Sequence, residues 1–141
     1  MRLCVLPFAA GVLLSGCQTG TDAPSTVTGP AASAIAGDIA GRYAEQAGST
    51  VTPIRLHSDA SEFSTALEAA LNGWGFTVVT DDKARSVKDT AKPIELAYSL
   101  IDVDGQVLVR LSSETLELGR AYSVSSGGAT PASPLSLMKR N

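Results

Sequence analysis

The 141-residue sequence contains very few of the residues that build metal sites or nucleophilic active sites. It has one histidine, His57, and two cysteines, Cys4 and Cys17. A zinc site takes three or four ligands, mostly nitrogen or sulfur, and a Ser-His-Asp hydrolase needs a histidine base with a carboxylate partner. The sequence also lacks a Gly-x-Ser-x-Gly pattern and a phosphate-binding glycine loop. We therefore predict a protein without a metal, a cofactor, a small-molecule substrate or enzymatic activity.

Basic residues are also scarce, with 11 Lys and Arg against 14 Asp and Glu and a formal net charge of −3. Nucleic-acid binding requires clustered Lys and Arg, so the charge argues against nucleic acid as a partner. Two acidic pairs, Asp81 with Asp82 and Asp102 with Asp104, are predicted to be solvated turn residues rather than cation ligands.

The N-terminal segment has the layout of an export signal. Arg2 supplies a positive charge, and an apolar run of about a dozen residues extends from Leu3 to Leu14. The run is too short to span a bilayer and has the length of a signal-peptide core. No later apolar run of about 18 residues follows, so the sequence predicts no transmembrane helix.

The signal ends in a lipobox, in which small residues precede a cysteine that is alkylated with diacylglycerol. The residues that match are Leu14, Ser15, Gly16 and Cys17. We predict that residues 1–16 are removed and that Cys17 becomes an acylated N-terminus; the alternative is an ordinary secretory signal with an incidental cysteine. Multiple acyl chains suffice for stable attachment to the bacterial membrane. Gln18 in place of Asp favours the outer membrane over the inner, with the domain facing the periplasm.

The mature chain divides into three predicted parts. Residues 17–30 are rich in Thr, Gly, Pro and Ser and are predicted to be a lipidated flexible tether. Residues 31–124 are predicted to be one small domain. The Ser/Gly/Pro-rich residues 125–141 are predicted to be a disordered tail.

Two amphipathic helices are predicted in the domain. In the segment 31–47 apolar residues recur at four-residue spacing, namely Ile35, Ile39 and Tyr43. Gly37 and Gly41 leave open an oligomerisation helix, although packing on the domain is favoured. The second helix is predicted to start at an Asp59 N-cap with Glu62 in a capping box, and to bury a stripe from Phe63 to Trp74.

Strands are predicted around these helices. Segments 51–57 and 76–79 read as short strands, with Pro53 placing the first at an edge or restricting it to 54–57. In residues 94–100 and 107–111 apolar residues recur at every second position, and Asp104-Gly105 between them predicts a hairpin turn. A further strand is predicted from Thr115 to Val124, with Gly119 as a bulge or break. The order predicts an α+β fold: two helices packed on one face of a mostly antiparallel sheet of about four to five strands.

Two single residues have alternative interpretations. His57 is expected to end a strand beside the helix cap rather than to act as a catalytic base. Trp74 is expected to pack in the core rather than to form an exposed binding hot spot.

The whole pattern resembles TrbH, a family of small lipoproteins encoded among the mating-pair-formation genes of Trb-type conjugative plasmids. The resemblance rests on the Leu-Ser-Gly-Cys signal end, the helix AASAIAGDIAGRYAEQAG before the Thr-Pro-Ile-Arg-Leu strand, the segment LNGWGFTVV, and the closing Arg120-Ala121-Tyr122. It implies an exported, lipid-anchored component of a conjugative type IV secretion apparatus that contacts other envelope proteins without catalysis. The one residue-level role it implies is lipid attachment at Cys17.

Two other functional classes remain open from the residues alone. A lipoprotein regulator of a cell-wall enzyme also combines a tether with a small α+β domain, although the tether here is short. An envelope hydrolase is disfavoured by the missing site residues.

Overall fold

A computed structural model describes residues 27–80 and 92–141 of the chain. These residues form two helices and seven strands, which confirms the predicted α+β class. In chain order the elements are α1 (Gly29–Ala47), β1 (Ile54–Leu56), α2 (Glu62–Gly73), β2 (Val78–Thr80), β3 (Ile94–Val103), β4 (Gln106–Ser112), β5 (Leu116–Ser125), β6 (Gly128–Pro131) and β7 (Ser136–Lys139).

The seven strands form one mostly antiparallel sheet in the order β2-β1-β3-β4-β5-β6, with β7 also paired to β5. Only β1 pairs in parallel, with β2 on one side and β3 on the other. Pro53 therefore does not place β1 at an edge. It precedes the strand instead, where its missing N–H removes no ladder bond, and its carbonyl accepts from the Ile94 N–H at 2.8 Å.

Helix α1 has the predicted extent, beginning two residues earlier at Gly29. Pro30 lies in its first turn, where a missing N–H is tolerated. Gly48 ends the helix in the left-handed conformation with φ of 69°, as a glycine C-cap does. The predicted apolar face is buried against the domain, so the packing interpretation of this helix is confirmed.

The N-cap predicted for α2 is wrong by two residues. Ser61 is the cap, and its hydroxyl accepts from the Ser64 N–H at 3.1 Å. Asp59 instead accepts from the Ser61 N–H at 3.0 Å, one turn before the helix, while Ala60 takes a positive φ of 61°. Glu62 does not close a capping box, because its carboxylate reaches the Gly29 N–H at the start of α1 at 2.6 Å.

The predicted β3–β4 hairpin is confirmed. Asp104 and Gly105 form a two-residue turn with φ of 47° and 79°, and Val103 pairs with Gln106 across it. Positive φ at both turn positions is the type I′ geometry that matches strand twist. Strand β5 then pairs with β4 in unbroken register through Gly119, so the expectation of a bulge or break there is wrong.

The predicted disordered tail is also wrong. Within residues 125–141, β6 pairs with the second half of β5 and β7 pairs with its first half. Strand β5 is ten residues long, and among the described residues no other strand lies on that side of it. Two short strands of weak strand-forming sequence therefore pair with its free edge. The helices and strands of the described residues therefore run from residue 29 to residue 139, beyond the 31–124 predicted for the domain.

Both helices cover one face of the sheet, as predicted. Alternate residues of the central strands point into this core, including Leu96 of β3, Val109 of β4 and Leu118 of β5. From the helices, Ile35 of α1 and Leu67 of α2 are fully buried against them. The residues in between project from the opposite side, which no element of the described residues covers; we call that side the open face.

Trp74 does not lie in the core, contrary to the expectation from the helical stripe. It caps the C-terminus of α2 and is 52% exposed. The helix ends at Gly73, so the stripe ends with Leu71, and the indole lies across α1 instead. A Cβ placed on Gly41 would stand 3.1 Å from the indole Cζ2 atom, so this glycine allows the close approach of the ring.

Candidate functional site

The predicted lipid-attachment site lies outside the residues that the structure describes. This applies to Cys17 and to the cleavage motif Leu14, Ser15 and Gly16. The acidic pair Asp81 and Asp82 also falls outside them. Within residues 27–80 and 92–141, no helix is long and apolar enough to cross a bilayer.

The chain enters the described domain at a fixed point. Val27 is 6% exposed and belongs to the core, although it precedes the first helix. The segment 27–31 lines a cleft of about 390 Å³ together with Gly105 of the hairpin turn and Val124 of β5. Val27 therefore lies at the end of the sheet where the β3–β4 hairpin turns.

His57 belongs to a cluster of charged side chains on β1 and β3. Its Nε2 atom lies 2.7 Å from Glu95 Oε2, and Arg55 Nη1 lies 3.7 Å from Glu95 Oε1. The His57 N–H donates to the Leu96 carbonyl at 3.1 Å and so extends the β1 ladder by one residue. The prediction that His57 ends a strand is confirmed, and its imidazole lies against the Glu95 carboxylate of the neighbouring strand.

Asp59 is held by the loop that leads into α2. Its Oδ1 atom accepts from the Tyr98 hydroxyl at 2.6 Å and from the Ser61 N–H at 3.0 Å. Partial burial acts to raise the pKa of the carboxyl, but the hydrogen bonds from Ser61 and Tyr98 outweigh it and lower the pKa below its ordinary value. This carboxylate thus anchors the loop to β3. Partial burial, together with the hydrogen bond to Asp59, raises the pKa of Tyr98.

A second polar network ties α1 to the far half of the sheet. Asp38 Oδ2 accepts from the Tyr122 hydroxyl at 2.7 Å and from Arg120 Nη1 at 3.0 Å. Arg120 Nε also donates to the Ser133 carbonyl at 3.0 Å, in the connection between β6 and β7. The network therefore joins the helix, the long strand β5 and the C-terminal segment through one partly buried carboxylate.

Burial and the neighbouring Asp38 carboxylate raise the pKa of Tyr122 far above its ordinary value. The tyrosine is 1% exposed, so its hydroxyl stays protonated in the folded protein and donates to Asp38. Sequence reasoning noted the Arg120-Ala121-Tyr122 segment but not this network, because Asp38 lies more than 80 residues away in the chain.

The open face carries both apolar and charged side chains. Ile101 and Val103 of β3 and Met138 of β7 are half-exposed there. Beside Gly119, where no side chain projects, Leu108, Arg110 and Met138 border a groove of about 260 Å³. The groove contains no cluster of groups with a recognisable reaction chemistry.

Among the described residues, no three histidine, cysteine, aspartate or glutamate side chains are grouped so that they could hold a metal ion. Asp104 adopts the turn conformation predicted for it. The polar groups described above instead serve as partners within the fold.

Comparison with known proteins agrees with the resemblance seen in the sequence. The family model described as "Conjugal transfer protein TrbH" matches residues 15–141. A "Probable conjugal transfer protein TrbH" of Sinorhizobium fredii (strain NBRC 101917 / NGR234) is 55% identical, with all of both chains aligned. No solved structure shows significant similarity to the chain. The family match covers nine-tenths of the sequence and the relative is similar throughout, and on both grounds the chain belongs to the TrbH family of conjugal transfer proteins.

Proposed function

We propose that this protein serves conjugative transfer as a lipid-anchored component of a type IV secretion apparatus, and that it acts by contacts with other envelope proteins. The observation that supports this proposal most directly is the family match, which begins at residue 15 and therefore includes the end of the lipobox. The role in conjugative transfer is inferred from membership of a conjugal transfer family, and the membrane attachment is inferred from Cys17.

The lipid provides location and the domain provides the contact. Acylated Cys17 would hold the protein on the membrane, with outer-membrane sorting favoured because Gln18 stands where Asp would retain it at the inner membrane. Anchoring restricts the domain to the space near the membrane, which raises its effective concentration toward partners on the same surface. The partners expected on this basis are other proteins of the transfer apparatus.

Action without catalysis is supported by the roles of the candidate reactive residues. His57 is engaged with Glu95 in a cross-strand pair, and Asp59 holds the loop before α2. Asp38 accepts hydrogen bonds from Arg120 and Tyr122. Each of these groups has a structural partner that accounts for its position.

Attachment is tested by changing the two cysteines separately. Cys17→Ser should abolish labelling by a fatty-acid analogue and release the protein to the periplasm. Cys4→Ser is the matched control, since it removes the other cysteine within the predicted signal and should leave labelling intact. Continued labelling of the Cys17→Ser protein would rule out the assignment.

The mode of action is tested by mating frequency at matched protein levels. Cys17→Ser should reduce plasmid transfer, because an untethered domain loses the effective concentration that a shared membrane provides. His57→Ala should leave transfer near the wild-type frequency. Transfer that is lost in His57→Ala but intact in Cys17→Ser would overturn the proposal and point to an active site.

A further inference from the structure

One end of the sheet combines the entry point of the chain with exposed aliphatic side chains. We call it the hairpin pole and define it by residues 101–105 of the β3–β4 hairpin, residues 124–128 at the turn between β5 and β6, and residues 27–31. Ile101 is 46% exposed and Val103 is 50% exposed. Val27 is buried at this pole, so the connection to Cys17 starts at the same end of the sheet as these two side chains, which project from the open face.

The connection is short compared with the domain. Val27 follows Cys17 by ten positions in the sequence, and a flexible chain of ten residues has a root-mean-square span of about 17 Å. Fully extended, they reach about 35 Å. Strand β3, which runs from one pole to the other, is ten residues long and spans about 30 Å. A lipid on Cys17 therefore keeps the hairpin pole near the bilayer and the opposite pole away from it for most of the time.

The opposite pole is identified by the other end of α1. Gln46, Ala47, Ser49 and Thr52 of the segment 46–52 line a cleft there, together with Ile94 at the start of β3 and the C-terminal residues 139–141. Val51 lies in this segment and is 88% exposed. The two poles thus each present an exposed valine, which allows a matched comparison.

We propose that the hairpin pole is a membrane-contact surface, with Ile101 and Val103 resting at the lipid interface of the membrane that holds the anchor. This inference rests on the lipid attachment at Cys17 in the proposed function. Moving aliphatic side chains from water into the lipid interface lowers the free energy of the system. Asp102 and Asp104 in the same hairpin would be repelled by anionic headgroups, so the surface fits a zwitterionic lipid face.

The experiment uses the full-length protein, matured and acylated in cells, and reconstituted into vesicles of phosphatidylethanolamine and phosphatidylcholine. Val103→Cys and Val51→Cys are labelled separately with a small fluorophore. In the acylated protein Cys17 has no free thiol and Cys4 has left with the signal, so each label reports one position. Lipids that carry a nitroxide near the headgroup then quench the fluorophores that approach the membrane.

Quenching should be several-fold greater at position 103 than at position 51, and Ile101→Cys should behave like Val103→Cys. A 20-residue Gly/Ser insertion between Thr19 and Gly20 triples the tether, which should lower the effective concentration of the pole at the membrane about fivefold. Quenching at position 103 should fall accordingly.

The outcomes separate this inference from the proposed function. Absence of acylation and of vesicle association would remove the anchor and defeat both. An acylated, vesicle-bound protein with equal quenching at positions 103 and 51 would overturn the membrane-contact surface and leave the proposed function standing. Quenching at position 103 that does not respond to the longer tether would also overturn it, since the short tether is the basis of the orientation.

Discussion

The buried Tyr122 makes the stability of the domain sensitive to alkaline pH. In the folded protein, burial and Asp38 raise the pKa of its hydroxyl, whereas in the unfolded chain the hydroxyl ionises near pH 10. Above pH 10 the folded state therefore holds a proton that the unfolded state has lost. Stability from this group is complete below pH 10 and declines as the pH rises further.

The size of the effect follows from linkage. Each pH unit above 10 costs about 1.4 kcal/mol for one tyrosine that stays protonated in the folded state. Between pH 10, where the unfolded tyrosine is already half ionised, and pH 12, Tyr122 alone should lower the free energy of unfolding by about 2.3 kcal/mol. A domain of this size has a total of only about 5–15 kcal/mol, so the loss is a large part of it.

The assay is urea unfolding of the wild-type domain and of Tyr122→Phe at several pH values. At pH 7 the variant should lose about 1.5–3 kcal/mol, the contribution of a hydrogen bond to a charged group. The difference between the two proteins should then shrink from pH 10 to pH 12, because the variant has no phenol to ionise at this position. Tyr98→Phe is the control, since Tyr98 is only half-buried and should change the pH slope less.

A gap between wild type and Tyr122→Phe that stays constant up to pH 12 would refute the reasoning. It would mean that Tyr122 ionises equally in both states and that its hydroxyl is neither buried nor bonded to Asp38.

Three further substitutions test the packing of the helices. Leu67→Ala removes a fully buried side chain of α2 and should cost about 2–5 kcal/mol; an unchanged melting temperature would show that the stripe is solvent-exposed. Ser61→Ala removes the side chain that caps α2 and should lower the free energy of unfolding in urea by about 0.5–2 kcal/mol; an unchanged value would show that Ser61 is not the N-cap. Gly41→Ala should shift the fluorescence of Trp74 by displacing its indole, whereas Gly37→Ala, in open space, should leave it unchanged; identical spectra would contradict the observed contact.

The sequence was most informative where structure is local. The four-residue spacing of Ile35, Ile39 and Tyr43 predicts α1, because burying one face of a helix requires apolar residues about one turn apart. Asp104-Gly105 specifies the hairpin turn, since both positions take positive φ and few residue pairs do so readily. Both signals act within a few residues and need no knowledge of the rest of the chain.

The corrections arose where a second segment decided the outcome. Asp59 fitted the sequence pattern of an N-cap. In the structure its carboxylate instead accepts a hydrogen bond from Tyr98 of β3, and Ser61 caps α2. Glu62 fitted a capping box by sequence, but its carboxylate accepts a hydrogen bond from the Gly29 N–H at the start of α1. A propensity rule weighs only near neighbours, so it cannot tell which of several partners a short polar side chain will bind.

The sequence by itself determined the class of the fold, the two helices, the hairpin and the family resemblance, because these depend on spacing and local turn chemistry. Only the tertiary structure decided that residues 125–141 pair with β5, that Asp38 joins Arg120 and Tyr122, and that Trp74 lies on Gly41. Polar and Gly-rich segments form strands when the edge of another strand presents unpaired N–H and C=O groups for them to bond. Such an edge exists only after the rest of the sheet has formed.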